Sequence, residues 1–200
     1  MKPDLVLIAT STGGPDFLKT ITPGLDKNLG VPVIVVQHML DGYTSQLARG
    51  LDMMSPISVK EVELNEKLEK SKVYIAKAGV HMKLSNYTQS IFPRVTFSDG
   101  PKVNYVKPAA DVLFKNVAVE YRKKNVLVVV GTGMGKDGLE GIMELKKTCN
   151  VYCITEDERD CVVYGMPKVV YEAGLSNEVC CMNYISHRIN DICKKGWKNG

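Results

Sequence analysis

Three residues in this chain have the types that make a nucleophile, a base and an orienting acid: Ser11, His38 and Asp137. Each stands just beyond an apolar run. Ser11 follows Leu5-Val6-Leu7-Ile8-Ala9-Thr10 and precedes Thr12-Gly13-Gly14-Pro15. A serine at a strand end, ahead of a glycine turn into a helix, can attack an acyl carbon while free N–H groups of the turn bind the oxyanion. His38 ends Val33-Ile34-Val35-Val36-Gln37. Of the three histidines, His81 lies in a hairpin region and His187 in the C-terminal tail, so His38 alone shares Ser11's kind of address. Asp137 lies in Gly131-Thr132-Gly133-Met134-Gly135-Lys136-Asp137-Gly138, after the run Val126–Val130. A carboxylate on the imidazole would hold its tautomer and stabilise the imidazolium.

Each residue also has an ordinary reading. Ser11 or Thr12 can cap a helix, His38 can be satisfied by hydrogen bonds at a strand end, and Asp137 can cap the helix that follows. The glycine loop has a functional rival as well. Gly133 to Gly138 satisfies G-x-G-x-x-G, and Glu156 and Asp157 follow the next strand about 20 residues on, as a dinucleotide fingerprint asks. Asp137 would then sit against a pyrophosphate and repel it, and such a site has no use for Ser11 and His38. The literal G-x-S-x-G elbow is not met, since Ala9 replaces its first glycine.

The elements that must position these residues follow from hydropathy. Leu5–Ala9, Val33–Val36 and Val126–Val130 lack polar alternation, as strands covered on both faces do. A helical segment follows each: 16–28 with a break near Pro23-Gly24, a segment carrying Tyr43, Leu47 and Leu51, and a stripe of Leu139, Ile142 and Met143. Between residues 57 and 100 the pattern turns β-rich, with short strands at 57–63 and 72–76. A hairpin of Val80–Leu84 and Arg94–Ser98 closes around an irregular polar loop. Pro108 opens an amphipathic helix with Ala110, Leu113, Phe114, Val117 and Tyr121 on one face. A strand at 151–155, a helix from about Met166 to Tyr171 stopped by Gly174, and a helix-like tail from Tyr184 complete the chain. The fold expected is a single α/β domain: a doubly wound, mostly parallel, Rossmann-like sheet with a β-hairpin insertion near residues 57–100.

Composition narrows the function classes. The 200 residues suit one full core, and a formal net charge of +4 is too weak to argue for nucleic acid, though it favours an acidic partner at low salt. No run is long enough to insert in a membrane, and Lys2-Pro3-Asp4 breaks a signal-peptide pattern, so a cytoplasmic protein is expected. The six cysteines, Cys149, Cys153, Cys161, Cys180, Cys181 and Cys193, form no C-x-x-C pair and read as reduced, partly buried thiols.

In several blocks the chain resembles the catalytic domain of the chemotaxis protein-glutamate methylesterase family, CheB. The family's Ala-Ser-Thr-Gly-Gly-Pro appears as Thr10 to Pro15, and its Val-Gln-His-Met as Val36 to Met39. Val73-Tyr74-Ile75-Ala76, Gly79-Val80-His81-Met82 and Ala110-Asp111-Val112-Leu113-Phe114 match further blocks. Thr132 to Gly138 and Cys161 to Pro167 are complete. The resemblance runs from Leu5 to about Leu175 and implies hydrolysis of glutamate methyl esters on the cytoplasmic helices of methyl-accepting chemotaxis receptors. Methanol is the product, certain receptor glutamines are deamidated, and the activity serves chemotactic adaptation.

The resemblance also implies Ser11 as nucleophile, His38 as base, Asp137 as orienting acid, and the main chain of Met134 and Thr12 as oxyanion donors. No metal or organic cofactor is implied, and nothing demands more than a monomer. Residues 1–183 are expected to form the catalytic domain and 184–200 a tail of the same domain, with no receiver domain in front. The departures are Thr10 for Ala, Lys77-Ala78 for Pro-Gly, Lys107 for Arg, Ala109 for Ser and Glu156 for Gln. The alternative reading is a receptor-binding or nucleotide-binding α/β module without turnover.

Overall fold

Runs that are apolar at every position fold into strands with no solvent-facing side. The computed structural model describes residues 1–85 and 93–198. The elements in order are β1 (Leu5–Thr10), α1 (Gly14–Ile21), β2 (Val33–Gln37), α2 (Tyr43–Met54), β3 (Ser58–Glu61), β4 (Lys72–Ile75), β5 (His81–Ser85) and β6 (Arg94–Ser98). There follow α3 (Ala110–Glu120), β7 (Asn125–Val130), α4 (Leu139–Thr148), β8 (Asn150–Glu156), α5 (Met166–Glu172), β9 (Glu178–Cys180) and α6 (Met182–Lys195). A seven-stranded sheet has the order β3-β4-β2-β1-β7-β8-β9, and every pairing in it is parallel.

Side chains alternate between the two faces of each strand. Leu5, Leu7 and Ala9 join one core with α3, α4 and α5 through Phe114, Val117, Ile142, Leu145 and Met166. Val6 and Ile8 join the other with α1, α2 and α6 through Phe17, Leu18, Leu47, Leu51, Ile185 and Ile189. This is the three-layer, doubly wound architecture. β1 lies in the middle of the sheet, with β2 on one side in the register Thr10 opposite Gln37 and β7 on the other in the register Ala9 opposite Val130. The chain therefore leaves β1 toward one half of the sheet and returns at β7 to build the other half. Ser11, His38 and the loop after Val130 meet at the carboxyl ends of adjacent strands, where open α/β sheets bind ligands.

Several elements differ from the sequence reading. The β-rich stretch from residue 57 is not one insertion. β3 and β4 extend the main parallel sheet, and only the antiparallel pair β5-β6 stands outside it, packed on α3. β3 is an edge strand with a half-exposed pattern, so its sequence lacks the uninterrupted apolar run that marks β1. The polar loop expected between the hairpin strands lies outside the described residues. The expected helix over 16–28 stops at Ile21 and passes into a 3-10 turn, Thr22–Gly24, where Pro23 cannot donate to an α-helical ladder. The buried stripe of α4 runs through Ile142 and Leu145, while Met143 is exposed. β9 is three residues long, too short to show a period. The segment read as a tail contains α6, whose Ile185, Ile189 and Ile192 are buried against the sheet.

Candidate active site

Ser11 is gripped through its main chain. Its N–H donates to Thr132 O at 3.0 Å, and its carbonyl accepts from Gly14 N at 2.9 Å and from Gln37 Nε2 at 2.9 Å. The same Gln37 amide donates to His38 O at 2.9 Å, and Gln37 Oε1 accepts from Thr10 Oγ1 at 2.7 Å. One buried side chain thus ties the end of β1 to the end of β2. Thr10 stands where the family pattern has Ala, and its hydroxyl satisfies an acceptor that has no exposed surface to spare. Thr10→Val, nearly isosteric, leaves Gln37 Oε1 without that donor. A loss of about 1–3 kcal/mol of folding stability is expected, read as a lowered denaturant midpoint with an unchanged slope. An unchanged midpoint would contradict the tie.

The capping explanation for Ser11 and Thr12 does not hold. The N-cap of α1 is Gly13, at φ 83°, and no side chain caps the helix. A residue with a Cβ is strained at that φ, and a Cβ there would also lie 2.6 Å from Val162 Cβ. Gly133 is required for a different reason: its Cβ would meet Ser11 Cβ at 2.8 Å. The glycine loop is packed directly under the serine. It is held there by Thr132 Oγ1, which donates to Thr12 O at 2.9 Å and accepts from Val163 N at 3.0 Å. Gly133 N donates to Val163 O at 3.0 Å, so the segment from Cys161 to Pro167 backs the loop.

His38 Nε2 lies 2.7 Å from Asp137 Oδ2, with both side chains nearly buried. With Nε2–H donating to the carboxylate, Nδ1 carries the lone pair available to a proton. Asp137 is not a cap of its own helix: the N-cap of α4 is Gly138, without a side-chain cap from the residue itself. The two helices are instead capped crosswise. Asp137 Oδ2 accepts from Ala110 N at 2.6 Å and Oδ1 from Asp111 N at 3.0 Å, at the start of α3. Asp111 Oδ1 accepts from Gly138 N at 3.0 Å and Gly141 N at 2.7 Å, at the start of α4. This explains how Ala109 can replace the family's Ser: the acceptor for the first turn of α3 arrives from Asp137. Burial alone would raise the Asp137 pKa, but the His38 hydrogen bond, the imidazole's charge and the two N–H donors outweigh it and hold the carboxyl below its usual value.

The crosswise caps also bear on the phosphate reading of the glycine loop. The N–H groups of Gly138 and Gly141 that would receive a phosphate already bind Asp111. Glu156 and Asp157 have other employment: Glu156 Oε2 accepts from Thr132 N at 2.6 Å, and Asp157 binds the Arg159 side chain. The other histidines are accounted for. His81 is buried between Pro101 O and Ala109 N, and His187 stacks on Tyr184 at the surface. Lys107, in the family's Arg position, pairs with Asp99 at 2.6 Å.

A cleft lined by Ser11, Thr12, His38, Met39, Leu40 and Tyr43 opens over this arrangement. Leu40 and Tyr43 are exposed, so the cleft has an apolar lip on the α2 side. The six cysteines are free thiols, four of them buried.

Glu156 is a second chemical feature of the site that its sequence position did not explain. It has no exposed surface, and its Oε1 has no hydrogen-bond partner among the described residues. Burial pushes its pKa up to about 7, against the Thr132 N–H and the nearby Cys161 thiol, which lower it. The folded chain therefore keeps this proton from the ordinary glutamate value of 4.5 up to about 7, while the unfolded chain has released it. Stability falls as pH rises across that window, and the full penalty, on the order of 3 kcal/mol, is present above it. Glu156→Gln should raise the thermal midpoint at pH 8 and lose that advantage near pH 4. A stabilisation that does not grow with pH would contradict the assignment.

A sequence model of the CheB methylesterase family matches residues 6–189. The chain belongs to the CheB methylesterase family. Among its relatives are proteins called protein-glutamate methylesterase/protein-glutamine glutaminase. The one from Bacillus subtilis is 39% identical over 96% of this chain and 53% of its own length. The one from Archaeoglobus fulgidus is 43% identical over 84% of this chain and 47% of its own. The crystal structure of the Thermotoga maritima CheB methylesterase catalytic domain superposes with a TM-score of 0.90 at 38% identity, covering 96% of this chain and all of that one. The chain spans about half the length of the curated relatives it matches.

Ser11, His38 and Asp137 all lie at the one sheet edge, and Thr12 and Met134 flank it on the loops after β1 and β7. Gln37 was visible in the sequence only as part of a family block and Thr10 only as a departure from one. Asn104 carried no signal: its amide reaches Asp137 Oδ1 at 3.1 Å and Asp111 Oδ2 at 2.8 Å from a loop with no periodicity.

Proposed function

We propose that this chain is a serine esterase acting on glutamate methyl esters of chemoreceptor cytoplasmic helices. The observation that carries the reading is the 2.7 Å hydrogen bond between His38 Nε2 and Asp137 at the strand end next to Ser11. It leaves Nδ1 as the nitrogen that takes the Ser11 proton when Oγ attacks the ester carbonyl. The oxyanion of the tetrahedral intermediate is bound by main-chain N–H groups of Thr12 and Met134. The imidazolium, steadied by Asp137, gives its proton to the departing methanol. Water, deprotonated by the same nitrogen, then releases the glutamate. A glutamine amide in place of the ester follows the same path with ammonia leaving, which gives the glutaminase activity. The reaction needs no metal or organic cofactor.

Membership of the family and the exposed apolar Leu40 and Tyr43 of the cleft support a helical protein substrate over a small ester. The compartment of this reading is the cytoplasm, where receptor methylation helices lie, and its role is adaptation in chemotaxis. A receiver domain acting on this unit belongs to the same proposal. The catalytic unit includes α6, whose isoleucines are part of the second core. Among the described residues no helix is long and apolar enough to cross a membrane.

The test is methanol release from receptor fragments carrying labelled methyl esters, with Ser11→Ala as control. Release by the parent and none by the control is expected. No release above the control, with receptor fragments still bound, would favour a receptor-binding module without turnover.

A further inference from the structure

Asp111 and Asp137 are two buried carboxylates set side by side, 1% and 2% exposed. The side chain between them is neutral. Asn104 Nδ2 donates one hydrogen to Asp111 Oδ2 at 2.8 Å and one to Asp137 Oδ1 at 3.1 Å. The titratable groups around the pair are His38 from the end of β2 and Lys115 on α3, and Lys115 is itself paired with Glu140 on α4. Burial raises the Asp111 pKa, and the charge of Asp137 raises it too, so the two acids work against each other.

The chain conformation at Asn104 suits this task. Val103 and Val106 exchange both main-chain hydrogen bonds, at 3.1 and 3.0 Å, across a tight reversal. The two residues at its tip, Asn104 and Tyr105, have φ of 52° and 65°. Asparagine is among the few side chains that adopt the left-handed region readily. Tyr105 is 95% exposed, so the reversal turns one tip residue to solvent while the amide of the other reaches inward.

We infer that Asn104 is a positioning residue of this site: its amide holds the Asp137 carboxylate on His38 Nε2 and keeps it apart from Asp111. This rests on the reading of Ser11, His38 and Asp137 as nucleophile, base and orienting acid. A neutral double donor separates the carboxylates as a cation would, without competing with His38 for the charge of Asp137. Without it, Asp137 loses one of its four donors, becomes more basic and holds the proton on His38 more tightly. Turnover then needs a higher pH.

Asn104→Gly tests this with little disturbance of the turn, because glycine adopts the left-handed conformation freely. Measured on receptor fragments with labelled methyl esters, kcat should fall on the order of 10-fold with KM unchanged. The acid limb of the pH–rate profile should move up by more than ~0.3 pH unit. A role confined to holding the loop would lower the melting temperature without moving that limb. Should the glycine variant fail to fold, Asn104→Asp, close to isosteric, gives the same reading. It turns an acceptor toward two carboxylates, and a larger loss of kcat is expected. A parent that releases methanol while the folded variant matches it in kcat and in the acid limb overturns this inference and leaves the esterase reading standing. A parent with no turnover overturns the esterase reading and this inference with it.

Discussion

Ser11→Ala is expected to lower methanol release by about 10⁶-fold while leaving the fold and its stability unchanged. The two halves of that expectation have separate physical grounds. The position of Ser11 depends on its main chain, through the bonds to Thr132 O, Gly14 N and Gln37 Nε2. Removing Oγ breaks none of them. The Thr10–Gln37 tie and the His38–Asp137 pair are also untouched. In the proposed mechanism the lost Oγ is the atom that forms the acyl intermediate, and a base and oxyanion donors without it would retain a small residue of the rate. Single-turnover methanol release and a denaturation curve on the same preparation read both halves. A variant within tenfold of the parent would end the nucleophile assignment. A variant with a much lower denaturant midpoint would show that the hydroxyl has a structural partner.

Asp137→Asn is the second large effect, with kcat falling by about 10⁴-fold. Here stability should fall as well. The carboxylate accepts on both oxygens: Oδ2 faces Ala110 N and His38 Nε2, and Oδ1 faces Asp111 N and Asn104 Nδ2. An asparagine amide has one oxygen and one NH₂. Whichever way it is turned, NH₂ meets two donors. Turned toward His38, it forces the imidazole to put its proton on Nδ1, the atom that must accept from Ser11. Turned toward Asn104, it opposes the start of α3. Each buried donor left unsatisfied costs about 1–3 kcal/mol. The crosswise caps couple α3 and α4, so the loss should appear in both helices as faster amide exchange of Ala110 and Asp111 and, through Asp111, of Gly138 and Gly141. Parent-like kcat in a variant with the same structure would remove Asp137 from the mechanism. Destabilisation without loss of kcat would make it a cap and nothing more.

In the proposed mechanism the orienting acid and the cap are the same group, which is why both readings of Asp137 were open from sequence. A carboxylate near a helix start is read by default as that helix's own cap. Asp137 caps a different helix, 26 residues earlier in the chain at Asp111, and no local pattern encodes that. The same limit applies to Glu156, whose spacing from the glycine loop fits a ribose-binding acid. The fold turns it inward beneath Thr132 instead, where burial and not a ligand governs its proton.

What the sequence determined by itself is the frame and the places where chemistry can stand. Three short, uninterrupted apolar runs fit strands covered on both faces, because burial of every side chain leaves no room for polar alternation. Neighbouring parallel strands bring their carboxyl ends to one edge. Ser11, His38 and the glycine loop with Asp137 were therefore legible as one locus, and the family blocks gave them a substrate. β3 and β4 were legible as short strands but not as part of the main sheet, and the three-residue edge strand β9 was not legible at all, since so short a strand has no periodic signature. Only the tertiary structure decided which ring nitrogen of His38 meets Asp137, which helix each aspartate caps, that Gln37 staples two strand ends through Thr10, and that Asn104 separates two buried acids. Each is a hydrogen bond between residues remote in the chain. Direction and partner in such a bond depend on where buried donors and acceptors come to lie, and that is settled by packing rather than by local pattern.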